Sequence, residues 1–211
     1  LRLPEYLHFY FKDMGYKNIV FYDSLRGFYN NCEEGYIDSF ATLVRASVSQ
    51  GFIRAEFKMS NGTTPASDIV RTAVTQNAEP TVIVMDFASR YIASPDNMDQ
   101  CEVNSFTVLL QSSLEARDVR SENGGMLKNL LILITNKAND IPAWFYLQNP
   151  NVKMITLSAP SKEERELLIK GPNFPSFFAA DVYAEDAPYY EEYPYELEKI
   201  QNRFCALTEG F

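Results

Sequence analysis

Three apolar runs in this chain end on side chains that can handle charge. They are Asn18-Ile-Val-Phe-Tyr-Asp23, Thr81-Val-Ile-Val-Met-Asp86, and the run from Leu130 that closes on Thr135-Asn136. An acid at the mouth of such a run can hold Mg²⁺ through water. Hydrolysis of a phosphoanhydride also needs a base beside it, and the residue after Asp86 is Phe87, which cannot accept a proton. It needs a phosphate cradle too. The stretch Asp23-Ser24-Leu25-Arg26-Gly27-Phe28-Tyr29-Asn30 has one glycine and no Lys-Ser/Thr pair. Leu25, Phe28 and Tyr29 stand where backbone would have to approach phosphate closely. No Gly-x-x-x-x-Gly-Lys-Ser/Thr segment occurs anywhere in the 211 residues. A plainer reading competes: strand ends and loop starts favour Asp and Asn as caps and turn residues.

Other chemistries are poorly supplied. The single histidine, His8, falls off the apolar stripe of its segment and reads as solvent-facing, which argues against a His-based centre or zinc site. Cys32, Cys101 and Cys205 are odd in number and far apart, with no metal spacing and no disulfide framework, so a reducing cytoplasm is the expected compartment. The net charge of −9 repels phosphate backbones and argues against nucleic acid as a partner. Mean hydropathy is −0.23, and no apolar run is long enough to cross a bilayer. The chain opens on Leu1 without a Met, which reads as a fragment of something longer.

These candidate residues must be held by alternating elements. Residues 3–14 carry Leu3, Tyr6, Leu7, Tyr10, Phe11 and Met14 at helical spacing, with Pro4 in the first turn and Gly15 past the end. NIVFYD (18–23), TVIVMDFA (81–88), LLILITN (130–136) and VKMITLS (152–158) read as buried strands, and FIRAEFKM (52–59) as a partly exposed one. Residues 24–35 read as a link and NGTTP (61–65) as a turn. Helices are expected over 36–48, 66–77 and 100–118, after a Ser161/Glu164 capping box, and around Leu197, Ile200, Phe204 and Leu207. The pattern predicts an α/β fold with a mainly parallel sheet covered on both faces.

The order of these pieces resembles the AAA+ ATPase core. LLILITN is similar to the sensor-1 strand with Asn136 at its Asn. S-A-P-S-K-E-E-R-E-L-L-I (158–169) matches the helix that comes after the next strand, and L-T-E-G-F (207–211) the opening of the helical lid. The resemblance covers about 16–211. It implies a three-layer α-β-α, P-loop NTPase-like fold with sheet order 5-1-4-3-2. NIVFYD is then first and central, FIRAEFKM second and at an edge, and TVIVMDFA, LLILITN and VKMITLS third to fifth. It also implies nucleotide-binding positions at Asp86 and Asn136, and a degenerate phosphate loop at Asp23, Ser24, Arg26 and Gly27. The loop 137–151 carries no arginine finger.

The resulting expectations are a core domain over 1–180 and, over 181–211, an acidic Tyr-rich segment with the start of a truncated lid. The function expected is that of a degenerate AAA+ module acting as scaffold, regulator or partner-binding surface in a larger ATP-dependent protein. No catalytic residue, metal or cofactor is assigned to this chain, ATP and Mg²⁺ being left to the full-length protein. Partners are other domains or subunits of a larger ATPase, or another protein. The interface candidates are Trp144, Phe145, Tyr146, Tyr189 and Tyr190, aromatics near acids or after the sensor-1 strand. One alternative is an active ATPase whose phosphate loop lies upstream, with 3–14 as the helix after that loop and NIVFYD as second strand; it leaves FIRAEFKM without a place. The other is an α/β interaction module with no nucleotide history.

Overall fold

A computed structural model describes residues 2–58, 64–147, 149–172, 174–178 and 180–208, with backbone alone at 180–182. The chain forms two compact units, Leu1–Met154 and Ile155–Phe211. The boundary between these units lies at 154/155, where 180/181 was expected, and within the second unit the helix with the Ser161 cap packs with the last helix.

The first unit begins with helix α1 (Leu3–Asp13), then strand β1 (Asn18–Asp23), β2 (Gly27–Tyr29), α2 (Tyr36–Val44), β3 (Phe52–Ile53) and α3 (Ala66–Thr75). After β4 (Thr81–Met85) come α4 (Gln100–Glu115), the hairpin β5 (Asp118–Arg120) and β6 (Met126–Lys128), β7 (Leu130–Leu133) and the short α5 (Ala143–Tyr146). Five strands form one sheet in the order β3-β2-β1-β4-β7. β1, β4 and β7 are parallel, with Val20 opposite Ile83 and Val84 opposite Ile132, and the α3 and α4 crossovers connect them. β2 and β3 are antiparallel additions on the far side of β1.

The sheet is therefore mixed rather than mainly parallel, and the expected order 5-1-4-3-2 does not hold. β1 is central and FIRAEFKM sits at an edge as expected, but only Phe52 and Ile53 pair there. LLIL takes the other edge, with TVIVM between it and β1. VKMITLS forms no strand at all, although Met154, Ile155 and Leu157 are exposed hydrophobics. Residues 24–35, expected as a link, contain β2. Of NGTTP, residues 61–63 lie outside the described residues, as do Met59 and 209–211 of L-T-E-G-F.

Alternation along the strands divides the core in two. Val20, Tyr22, Ile83 and Met85 face α2, α3 and α4, whose Phe40, Val70, Phe106 and Leu109 are buried with them. Ile19, Phe21, Val82 and Val84 face the other way, against Phe11 and Leu7 of α1 and Tyr16. α1 ends where Gly15 takes φ +95°, and a Cβ there would lie 2.6 Å from Ser121 Oγ.

The second unit holds α6 (Lys162–Lys170), α7 (Ala180–Glu192) and α8 (Pro194–Leu207) around Ile169, Phe174 and Cys205. The Ser161/Glu164 box opens α6, Glu164 N–H donating to Ser161 Oγ at 3.2 Å. The acidic Tyr-rich stretch is helical in α7 and the start of α8, where Tyr189 stacks obliquely on Tyr193 at 5.0 Å between ring centres. No described helix is long and apolar enough to cross a membrane.

Candidate functional site

The carboxyl ends of β1 and β4 open into a cleft of about 250 Å³. The first turn of α1 supplies Arg2, Pro4 and Glu5 to it, with Phe9 behind. The β1–β2 hairpin supplies Phe21, Arg26 and Tyr29; Asn31 and Cys32 come next, and the turn after β4 brings Asp86 and Phe87. Of the residues singled out in the sequence, Asp86 and Arg26 line this cleft. Asp23, Ser24 and Leu25 line a neighbouring, mostly apolar hollow on the other side of Arg26 and Phe87. Asn136 lines neither. It is exposed beyond β7, where its N–H donates to Ser89 Oγ at 2.7 Å.

The two aspartates that end the apolar strands are used differently. Asp23 is buried, and its Oδ1 accepts the N–H groups of Leu25 (2.9 Å) and Arg26 (2.8 Å), while Oδ2 accepts Arg26 Nε at 2.8 Å. Burial pushes this carboxyl up, but the bonds from Arg26 and Leu25 outweigh it and hold the group below the usual range. This is an Asx turn closing a tight hairpin. The two N–H groups that could have faced an anion point at Asp23 instead. Gly27, at φ +85°, is required by the hairpin itself, because a Cβ there would lie 2.2 Å from the Ile53 carbonyl. The side chain of Leu25 is 95% exposed. Arg26 lies 3.6 Å above the Tyr29 ring centre, and Tyr29 is pushed up to about 12, chiefly by burial.

Asp86 is half-buried, and its carboxylate accepts the Phe87 N–H at 2.9 Å. The turn beneath it is pinned. Asp86 N–H donates to Tyr22 O (2.8 Å), Tyr91 Oη donates to Asp86 O (2.6 Å), and Ala88 N–H donates to Ile134 O (2.9 Å). These bonds hold Phe87 in the left-handed region at φ 53°, ψ 33°, with its ring 60% exposed at the cleft. A bulky residue in that conformation carries a local cost of about 1 kcal/mol.

A nucleotide phosphate or Mg²⁺ does not fit the residues present. Arg26 is already paired with Asp23, and Arg2 with Glu5 at 2.9 Å. The cleft lining carries Arg2 and Arg26 against Glu5 and Asp86, so its charges balance, and both arginines are already engaged by carboxylates. No group of three metal-ligating side chains occurs among the described residues. Burial, then Glu5 and Glu33, pushes the Cys32 thiol up, which favours its protonated form.

Arg2, Glu5, Tyr29 and Cys32 carry no signal in the sequence as site residues. They reach the cleft only because α1 starts at the carboxyl end of the sheet and residues 27–29 turn back as a strand. The turn pattern Asp-x-x-Arg-Gly after an apolar run is the available signal for the hairpin. His8 corrects another expectation. It is fully buried, with Nδ1 3.1 Å from Asn30 Nδ2, and Asn30 also donates to the Ile19 carbonyl at 2.7 Å. The amide N–H makes Nδ1 the acceptor and puts the proton on Nε2, which faces Glu33 at 3.9 Å.

Among the interface candidates, Phe145 is core, its ring edge-on to Phe106 at 5.6 Å. Trp144 is 45% exposed and Tyr189 is exposed; Tyr146 and Tyr190 are half-buried.

The family model described as AAA+ chaperone, N-terminal Rossmann-like domain, matches residues 1–158. Among curated proteins and among solved structures nothing matches the chain significantly.

Proposed function

The chain belongs to the family of N-terminal Rossmann-like domains of AAA+ chaperones, and from that premise we propose that it acts as a non-hydrolysing module, a scaffold or regulatory domain of its parent protein. The observation that carries this is the turn after β4. Asp86 is followed by Phe87, in a turn fixed by two backbone hydrogen bonds and one from the Tyr91 hydroxyl, with an aromatic ring where a base would have to stand. The Asp23 hairpin adds support, because its inward N–H groups are consumed by its own carboxylate. ATP and Mg²⁺ then serve another domain or subunit. Phosphate release from Mg-ATP by the 211-residue chain is expected to stay at background. Turnover that disappears on Asp86→Ala would overturn the proposal.

The surfaces of such a module carry its role. Trp144 projects from α5 beside the buried Phe145, and Tyr189 projects from α7. Large, rigid aromatics of this kind supply binding hot spots. Trp144→Ala is expected to weaken assembly or ATPase stimulation in the intact protein while the fold of this chain persists. Assembly unchanged in a folded Trp144→Ala protein would remove that surface. The cysteine pattern supports a cytoplasmic setting for the module.

A further inference from the structure

One side of α1 is fastened to the segment after β2 by a short polar seam. His8 projects into it, fully buried, and Phe11 is the only other buried residue of this helix. Asn30 is the receiving side. Its Oδ1 accepts the N–H groups of Cys32 (2.8 Å) and Glu33 (3.3 Å), and its Nδ2 donates to the Ile19 carbonyl at 2.7 Å. These three bonds fix which end of the amide is nitrogen. Turning it over would set oxygen against the Ile19 carbonyl and N–H against two N–H groups. It is therefore an amide N–H that faces His8 Nδ1, at 3.1 Å.

The groups around the ring leave a second proton without a place. On α1 itself stand Lys12 and the Phe9 ring, edge-on at 5.2 Å. From the segment after β2 come the half-buried Cys32 and Glu33, whose carboxylate lies 3.9 Å from Nε2. From α2 comes Tyr36, its ring edge-on to the imidazole at 4.9 Å, a phenol that burial pushes up. Of these groups Glu33 is the one anion, and Lys12 holds it. A proton on Nδ1 would point at the N–H of a fixed amide. Two donors face to face in a buried site lose their hydrogen bond and leave both groups desolvated.

The closed seam thus disfavours the imidazolium, whereas a solvated histidine titrates at about 6.5. Opening is indifferent to pH above that value and becomes easier below it, by up to about tenfold per pH unit. The position of the seam decides what opens. α1 shows Tyr6, Phe9, Tyr10 and Met14 to solvent, so few buried side chains besides His8 hold it down. Its first turn, with Arg2, Pro4 and Glu5, forms one wall of the cleft at Asp86. Asn31 and Cys32, next to Asn30, form an adjoining wall. The seam is the joint between those two walls.

We propose that His8 is an acid-sensitive latch on the cleft. When the imidazole takes up its second proton, the seam between α1 and residues 30–36 parts. The first turn of α1 then moves away from Asn31 and Cys32, and the cleft at Asp86 widens while the sheet beneath stays folded. Near neutral pH the latch is closed. Glu33 tunes it, because its charge facing Nε2 favours the proton, and Lys12 opposes it by holding Glu33. The latch operates whether or not the protein hydrolyses ATP.

His8 is the sole histidine and Trp144 the sole tryptophan, which makes the test direct. Proton NMR of the imidazole follows His8 itself. Trp144 emission follows the core of the first unit, where its ring lies 6.5 Å from that of Phe106. Access to the seam is read as the labelling rate of Cys32 by a dipyridyl disulfide, divided by that of the exposed Cys101. The quotient removes the common loss of thiolate as pH falls. Between about pH 7.5 and pH 5 it is expected to rise at least about fivefold, at the midpoint of the His8 titration and with Trp144 emission unchanged. Glu33→Gln is expected to move both midpoints to lower pH together, and His8→Leu to make the quotient flat. A quotient that stays flat over that range in the native chain overturns the proposal, and so does a rise that persists in His8→Leu. A Cys32 midpoint that ignores Glu33→Gln contradicts it equally. A change in Trp144 emission at the same midpoint would mean that the whole first unit unfolds, which also removes the latch.

Discussion

Asp23 and Asp86 end neighbouring parallel strands, each after a run of buried apolar residues, yet they do unlike work. Asp23 turns inward on its own hairpin and is saturated by two N–H groups and a guanidinium. Asp86 stays half-exposed at a cleft and accepts one bond from the next residue. The difference lies in the residues C-terminal to each. After Asp23, Leu25-Arg26-Gly27 lets the chain reverse within a few residues. After Asp86, Tyr91 and Ile134 clamp the chain in an open turn that ends in a strained Phe87. Similar strand ends thus yield a structural aspartate and one still available to solvent.

That contrast can be broken from the Asp23 side with the largest effects. Gly27→Ala is expected to cost about 3 kcal/mol or more, since it combines a positive φ with a Cβ in the Ile53 carbonyl; chemical denaturation checks it. Asp23→Ala is expected to cost about 2–3 kcal/mol by stripping bonds from a buried carboxylate. Asp86→Ala should change stability by no more than about 0.5 kcal/mol, as at an ordinary surface position. Equal losses at the two aspartates would erase the distinction.

A pH series sharpens it with a mid-sized effect. Burial lowers the His8 pKa, so the unfolded chain binds this proton more readily than the folded one. Stability is then full above the unfolded value of about 6.5 and falls as pH drops below it, by at most about 1.4 kcal/mol per pH unit. The lowered carboxyls, Asp23 among them, lose their contribution only at more acidic pH. His8→Leu is expected to flatten the curve between about pH 5 and 6.5. The smallest effect concerns Phe87, where Phe87→Gly should gain about 0.5–1 kcal/mol by relieving the left-handed backbone. A loss there would mean that the exposed ring stabilises the turn.

The parallel strands are legible in the sequence because 18–22, 81–85 and 130–133 are uninterrupted apolar runs of strand length. Their order is not. NIVFYD in first place rests on a family register that presumes the phosphate-loop strand lies within the chain. The hairpin strand at 27–29 is three residues long, too short for a period-two signal, and β5 and β6 are hidden for the same reason. VKMITLS looks like a strand because of its composition, but a strand also needs a neighbour. His8 defies its expected placement because the helix stripe shows which residues face the sheet, not which face Asn30 across the α1–β2 gap. At the site, Asp86, Asp23, Arg26 and Gly27 are visible as residue types. The Arg2–Glu5 and Asp23–Arg26 pairings that use up the positive charge are visible only in three dimensions.

The central claim is that this chain alone offers no phosphate site, and calorimetric titration of Mg-ATP into the 211-residue chain tests it most directly. The expected result is no saturable heat at micromolar concentrations, for the native chain and for Asp86→Ala alike. A one-to-one isotherm in that range, abolished by Asp86→Ala, would contradict it.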